Sequence, residues 1–289
     1  MDPRSKALLP ENAAGIPVAV SYSGGTSSKW LVYAVLKGFI PRPAHFAVFF
    51  ADTGAEHNWT YADVDATELD CRAAGVPFFR CSRDHSLVDH LLAIPAGVTR
   101  RDTPPMWVAK DGGGMGRVEH RCTREFKVAP MRRAQTKWLK MIGQPKRIEK
   151  WIGFGADEIH RAIKAVAKQD VTWEEMKFPA IRLRVGRAQQ RAQLAEWGVN
   201  APKFSMCVFC PWKDPARWHA TPEDQRPMAI AVDEAIRDCD GLGITDGQVY
   251  LSKSLTPLAT VFSTPPTDPA QFELFPDLSA GCEGGHCFL

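Results

Sequence analysis

Val18-Ala-Val-Ser-Tyr-Ser-Gly-Gly-Thr-Ser-Ser28 decides how the rest of the chain is read. It begins as a mostly apolar run with alternating β-branched residues, the pattern of a buried strand. It turns through Ser23-Gly24-Gly25 and enters Ser27-Ser28-Lys29-Trp30-Leu31-Val32-Tyr33-Ala34-Val35-Leu36, apolar at helical spacing, with Gly38 as its stop. A strand, a Ser/Gly turn and a helix N-terminus together make a seat for an anion. Glycine lets the backbone approach a phosphate, and the first helix amides have no partners within the helix. The helix dipole adds partial positive charge, and serine hydroxyls add donors. Neither of the two commonest phosphate loops is present: there is no G-x-x-x-x-G-K-[ST], and no G-x-G-x-x-G with an acid at the following strand. A Ser-Gly-Gly turn before a helix is also ordinary punctuation, so the downstream residues must decide.

The pattern recurs. Ala44 to Ala51 is a second buried strand, ending in Asp52-Thr-Gly-Ala-Glu56. Polar residues just past a parallel strand are where open α/β sheets bind ligands. Trp59 to Ala74 reads as a helix stopped by Gly75, and Val76 to Arg80 as a third strand. Strand–helix–strand–helix–strand at this pitch predicts a parallel, doubly wound sheet. From Ile94 to Glu119, Pro95, Pro104, Pro105 and Asp111-Gly-Gly-Gly-Met-Gly116 predict a long irregular loop. Phe126 to Met141 is a basic helix, Arg147 to Phe154 a fourth strand, and Asp157-Glu158 opens another helix. Later come a helix from Arg187 to Trp197, a tight Cys207-Val-Phe-Cys210-Pro211 knuckle and a helix from Glu223 to Cys239. The expected organisation is an α/β nucleotide-binding core over 15–170 and a less regular C-terminal extension over 171–289, in one catalytic unit.

A net charge of +3, from 36 basic and 33 acidic residues, is too mild to demand a nucleic-acid partner. Basic residues do cluster at Arg117, His120, Arg121, Arg124, Lys127, Arg132, Arg133, Lys137 and Lys140, with Trp107 and Trp138 interleaved. Such a face suits a polyanion, a nucleotide or plain solvent. Met1-Asp-Pro-Arg-Ser-Lys6 lacks a signal-peptide apolar core, and no apolar run reaches membrane-spanning length. A cytoplasmic protein with no membrane partner is expected. Its eight cysteines are then thiols or metal ligands.

Ser23-Gly-Gly-Thr-Ser-Ser28 resembles the S-G-G-x-D-S loop of PP-loop ATP pyrophosphatases, with Ser27 at the acidic position. Asp52-Thr-Gly-Ala-Glu56, Cys122-Thr-Arg-Glu-Phe-Lys-Val-Ala-Pro130 and Gly153-Phe-Gly-Ala-Asp-Glu158 with Arg161 follow in order. Phe178-Pro-Ala, Arg187-Ala-Gln189 and Cys207-x-x-Cys210-Pro continue the series. The ordered set resembles the phosphoadenosine-phosphosulfate (PAPS) reductase-like family of the PP-loop, or adenine-nucleotide alpha-hydrolase, superfamily, in its Fe–S-containing type. The resemblance implies an adenine nucleotide across the C-terminal edge of a mainly parallel sheet. Ser21, Ser23, Gly24, Gly25, Thr26, Ser27 and Ser28 would line its phosphates, with Gly153 beside them. Asp52 and Thr53 would lie near ribose and base, and Lys127, Arg161 and Asp157 would be catalytic. Asp157 and Glu158 read equally well as helix-capping acids, and Arg161 as a solvated helix residue.

Cys207-x-x-Cys210 has metal-type spacing, since two thiolates on a tight turn can reach one centre. Cys122 sits where the family's Fe–S members carry cluster cysteines, although their paired Cys-Cys is Arg121-Cys122 here. Cys122, Cys207 and Cys210 are therefore expected to hold a [4Fe–4S] cluster with one iron open; a Zn²⁺ knuckle or buried thiols are the alternatives. Cys71, Cys81 and Cys239 are assigned to packing. Cys282-Glu-Gly-Gly-His-Cys287 loosely matches the tail on which sulfonucleotide reductases carry a nucleophile, making Cys282 and Cys287 catalytic candidates.

The first reading is an enzyme that uses ATP and Mg²⁺ to adenylate an acceptor, DNA or tRNA, and then transfers sulfur with help from the cluster. A sulfur-donor or electron-donor protein would serve it. The rival is a sulfonucleotide reductase acting on PAPS or adenylyl sulfate and releasing sulfite. A third reading, motivated by Ser27, is a non-catalytic nucleotide-binding subunit. With no acid at 27, Mg²⁺ is expected to bind weakly or to be held by another acid such as Asp157.

Overall fold

Val18–Tyr22 forms strand β1 and Thr26–Leu36 helix α1, with Ser23-Gly24-Gly25 as the turn between them. The computed structural model describes residues 15–96, 102–118, 121–238 and 247–264. Along the chain follow β2 (Phe46–Ala51), α2 (Asn58–Ala73), β3 (Phe78–Cys81) and α3 (Leu87–Leu92). Next are β4 (Trp107–Ala109), β5 (Met115–Arg117), a π-helical turn Thr123–Val128 that runs into α4 (Ala129–Met141), and β6 (Ile148–Trp151). A 3-10 turn, Ala156–Glu158, leads into α5 (Ile159–Ala167), followed by β7 (Glu174–Lys177) and α6 (Pro179–Arg182). The last described elements are α7 (Arg187–Glu196), α8 (Pro215–His219), α9 (Arg226–Ala235), β8 (Gln248–Tyr250) and α10 (Leu258–Ser263).

The main sheet has five strands in the order β3-β2-β1-β6-β7, and every pairing is parallel. β1 and β2 are buried along their whole length, as strands covered on both faces must be. Val18, Val20 and Tyr22 pack with Trp30, Phe46, Val48, Phe50, Val64 and Leu194 under α1, α2 and α7. Ala19, Ala47 and Phe49 face the other way, onto Met131, Trp138 and Leu139 of α4. The strand order reverses between β1 and β6, so a crevice opens at their C-terminal ends. The sheet is thus the doubly wound α/β arrangement that the first stretch predicts.

Two elements differ from expectation. The segment predicted as an irregular loop contains the β4–β5 hairpin, and β8 pairs with β4 to complete a separate antiparallel sheet. Strands of three residues are too short to show alternation. The fifth strand of the main sheet, Glu-Glu-Met-Lys, has no apolar run to announce it. Its one buried residue is held by charge pairing: Glu174, 1 % exposed, meets Arg132 Nε at 2.9 Å and Lys150 Nζ at 3.8 Å. Those pairs also take Arg132 out of the expected basic face. Trp138 and Trp107, read as interleaved aromatics, are buried. None of the described helices is long and apolar enough to cross a membrane.

A second core sits beside the sheet. Leu87, Leu91, Met106, Val108, Phe126, Val208, Phe209, Trp218, Val232, Val249 and Leu258 form it, drawn from α3, the hairpin, the knuckle, α8, α9, β8 and α10. At its edge His57 is fully buried, its ring stacked on Trp59 at 4.1 Å and its Nδ1 3.3 Å from Gln225 Oε1. Burial, then the charge of Lys213, pulls its pKa from 6.5 down to about 3. The unfolded chain therefore takes up a proton below pH 6.5 that the folded chain refuses until about pH 3. Stability attributable to His57 is present above that window and is lost as pH falls through it, at about 1.4 kcal/mol per pH unit. Urea unfolding between pH 4 and 7 should show a shallower acid slope for His57→Gln than for wild type; parallel slopes would refute this.

Candidate functional site

The crevice between β1 and β6 is a cleft of about 510 Å³, open to solvent. Ser21, Ser23, Gly25, Thr26, Ser27 and Ser28 line one side, and Ile152, Gly153, Phe154, Glu158, Arg161 and Arg187 the other. The cleft thus gathers most of the residues expected around the phosphates. The loop is braced from within. Ser28 Oγ accepts from the Ser23 amide at 3.1 Å, lies 3.0 Å from Ser23 Oγ and donates to Gly25 O at 3.0 Å. Ser205 donates to the Ser23 carbonyl from outside. Gly24, at φ +75, is needed behind the loop, where a Cβ would lie 2.7 Å from Thr60 Cγ2.

The residues expected near ribose and base do not line this cleft. Asp52 Oδ1 accepts from the Gly54 amide and from Tyr61 OH, each at 2.8 Å. Thr53 Oγ1 lies 3.5 Å from Cys207 Sγ and 3.5 Å from Glu56 Oε1, on the cysteine side. Asp157 is likewise turned away: its carboxylate accepts from the Arg187 amide at 3.2 and 3.3 Å, at the start of α7. Its neighbour Glu158 is the acid that enters the cleft, where its carboxylate pairs with Arg161 and, at 2.7 Å, with Arg187. Arg161 is buried and stacks on Phe154 with its guanidinium carbon 4.4 Å from the ring centre. Glu158 does cap its turn, accepting from the Gly155 amide at 3.2 Å, but it is also the centre of a buried ion cluster, and that cluster replaces the solvated-face reading of Arg161.

Cys122, Cys207 and Cys210, far apart in sequence, line a second cavity of about 500 Å³ with Thr53, Pro104, Pro105, Lys127 and Trp212. The loop after β2 holds the knuckle in place: Glu56 bridges Cys207, and Val208 N donates to Ala55 O at 2.7 Å. Cys210 N donates to Cys207 O at 3.0 Å, closing the turn. Beneath it the buried Lys213 ammonium donates to Val208 O at 2.7 Å and Thr221 Oγ1 at 2.8 Å. Burial lowers the Lys213 pKa to about 7. Burial, with the charge of Glu56 next, pushes the Cys207 thiol up. A third hollow, open to solvent, shares Ser21 and Ser23 with the cleft and Lys127 with the cysteine cavity. Glu56 lies in it, 3.7 Å from Lys127 Nζ, and burial raises its carboxyl above the usual range despite that lysine.

Among the described residues no three of His, Cys, Asp and Glu are placed to hold one metal ion. Three thiols facing one cavity fit a group whose ligands go to separate metal atoms, as a [4Fe–4S] cluster's do. Cys71 and Cys81 are buried thiols pushed up to about 12 by burial, in keeping with packing roles. Cys239, Cys282 and Cys287 lie outside the described residues. Glu56, Glu158, Arg187, Ser205 and Lys213 were not among the expected site residues. Glu158 and Arg187 stood inside quoted motifs, whereas no sequence signal marks Ser205 or Lys213.

No protein-family model matches the chain, and no curated protein matches it in sequence. Among solved structures, the PAPS reductase from Candida auris in its phosphate complex is 14% identical, with a TM-score of 0.42 over 69% of this chain and 82% of that chain. The U34-tRNA thiolase NcsA from Methanococcus maripaludis, solved with its [4Fe-4S] cluster, is 13% identical, with a TM-score of 0.44 over 90% of this chain and 85% of that chain. It is to PAPS reductase-like and PP-loop proteins that this chain is similar.

Proposed function

We propose that this chain is a PP-loop enzyme that binds ATP at the Ser23–Ser28 loop, adenylates an acceptor and readies that acceptor for sulfur transfer. One observation carries the reading. The phosphate cleft and the three-cysteine cavity are neighbours: one hollow takes Ser21 and Ser23 from the first and Lys127 from the second.

The chemistry follows from the lining. The first amides of α1 and the loop hydroxyls hold phosphate oxygens. An acceptor oxygen attacks the α-phosphorus, the bond to the bridging oxygen breaks, and its electron pair leaves on pyrophosphate. Arg161 and Arg187, both largely buried at the cleft's edge, stabilise the charge that develops there. Lys127 stands at the junction, within reach of whatever spans both sites. A [4Fe–4S] cluster on Cys122, Cys207 and Cys210 would supply an iron able to carry sulfide. A nucleic acid, tRNA or DNA, is the proposed acceptor, Mg²⁺ the ion accompanying ATP, and a separate protein the sulfur source.

The test uses anaerobically purified protein with ATP, Mg²⁺ and either total tRNA or duplex DNA. Release of pyrophosphate that depends on one nucleic acid is expected. Sulfite from PAPS with no pyrophosphate from ATP would overturn the reading in favour of a sulfonucleotide reductase. Tight ATP binding with no turnover on either acceptor would overturn it in favour of a non-catalytic subunit.

A further inference from the structure

Glu158 is the only carboxylate among the described residues that line the loop cleft, and it touches Ser27, Arg161 and Arg187 of that lining. Its Oε1 accepts from Arg161 Nη1 and, at 2.7 Å, from Arg187 Nη2. Its Oε2 accepts from Ser27 Oγ at 3.4 Å and from the Gly155 amide at 3.2 Å. The residue is 5 % exposed. Burial works against its charge, but Arg161 and Arg187 outweigh burial and hold the carboxyl below its usual range.

The backbone delivers this carboxylate at close range. A Cβ on Gly153 would lie 2.2 Å from the Ser27 carbonyl oxygen, and one on Gly155 would lie 2.5 Å from Asp157 Oδ1. Glycine at 153 lets the segment press against the loop, while glycine at 155 leaves room for the Asp157 carboxylate beside it. Ser27 is the second residue of α1, facing its N-terminus. Two guanidiniums against one carboxylate leave a single net positive charge in front of that helix end. A carboxylate at position 27 would stand against that of Glu158 and cancel the site's remaining positive charge, setting both against an incoming phosphate.

We propose that Glu158 is the acidic residue of this phosphate loop, supplied from the segment after β6 rather than from position 27. It acts as a positioning residue that aims Arg161 and Arg187 at the phosphates, and Ser27 is the side chain that admits it. The assignment rests on the cleft being the nucleotide site.

The test is a double-mutant cycle read by calorimetric binding of Mg²⁺–ATP, with melting temperature as the check on folding. Ser27→Asp should weaken binding about tenfold or more, by pairing like charges. Glu158→Gln should weaken it about tenfold, because charge-assisted hydrogen bonds to both arginines are lost. Ser27→Asp with Glu158→Gln should return to within about threefold of wild type, a strongly non-additive result. If Ser27→Asp does not fold, recovery of folding in the double variant carries the same meaning. A double variant as weak as the product of the two singles, or unfolded while Glu158→Gln folds, would overturn the proposal and leave the nucleotide reading standing. Absence of ATP binding in wild type would overturn both.

Discussion

Gly153→Ala should abolish nucleotide binding and lower the melting temperature. The added Cβ would lie 2.2 Å from Ser27 O, 2.5 Å from Ser27 C and 2.8 Å from Ser28 N. All three are backbone atoms in the first turn of α1, so no rotamer change relieves them. Either the end of β6 or the phosphate loop must move. Overpacking a well-filled site costs about 1–3 kcal/mol, and a contact this short lies at the upper end. A shift of about 1 Å in a binding loop is worth about a hundredfold in function. Gly25→Ala is the control: its Cβ would meet only Ser23 Oγ at 3.5 Å and Ser205 Cβ at 3.7 Å, so the fold should be unaffected. ATP titration and urea unfolding of both variants decide the matter; wild-type affinity in Gly153→Ala would remove this backbone contact from the account of the site.

Changing Cys122, Cys207 or Cys210 singly to Ser should strip iron from anaerobically prepared protein. In the proposed cluster each would supply one of three protein ligands from the cavity they share, and a hydroxyl would not replace its thiolate. Content should fall from about four irons per chain towards none. Cys71→Ser and Cys81→Ser should keep the iron, since both thiols pack in the main-sheet core. Changing Cys282 and Cys287 together should also leave iron content intact if the cluster has only three protein ligands. Iron and sulfide analysis with an absorption spectrum reads all of these. Zinc in place of iron, or full iron in Cys207→Ser, would defeat the cluster assignment.

The parts legible in the sequence were those with local causes. β1, its turn and α1 are visible because buried strands run apolar and Gly24 needs a positive φ. β7 was invisible because Glu174 is buried by Arg132 and Lys150 rather than by its own character. The choice between Asp157 and Glu158 turns on a one-residue rotation in the 3-10 turn, which no pattern of residue types encodes. The knuckle was legible from its spacing, but Lys213 beneath it was not, since a lysine three residues past a cysteine is usually solvated. Asp52 satisfied the rule for polar residues at strand ends, yet its carboxylate caps the local turn and meets Tyr61.

The second sheet bears on how the chain is made. β8 pairs with β4 across roughly 140 residues, and Val249, Leu251 and Leu258 close the core on which Val208 and Phe209 of the knuckle rest. The five-stranded sheet needs nothing beyond Lys177 for its pairing. During synthesis at about 5–20 residues per second, the strands of the main sheet are therefore complete roughly ten seconds before the core behind the knuckle can close. Contacts this distant in sequence are also slow to close after release from the ribosome. The core behind the knuckle therefore closes last, and truncation before β8 should loosen the support under Val208 and Phe209 while leaving the pairing of the main sheet intact.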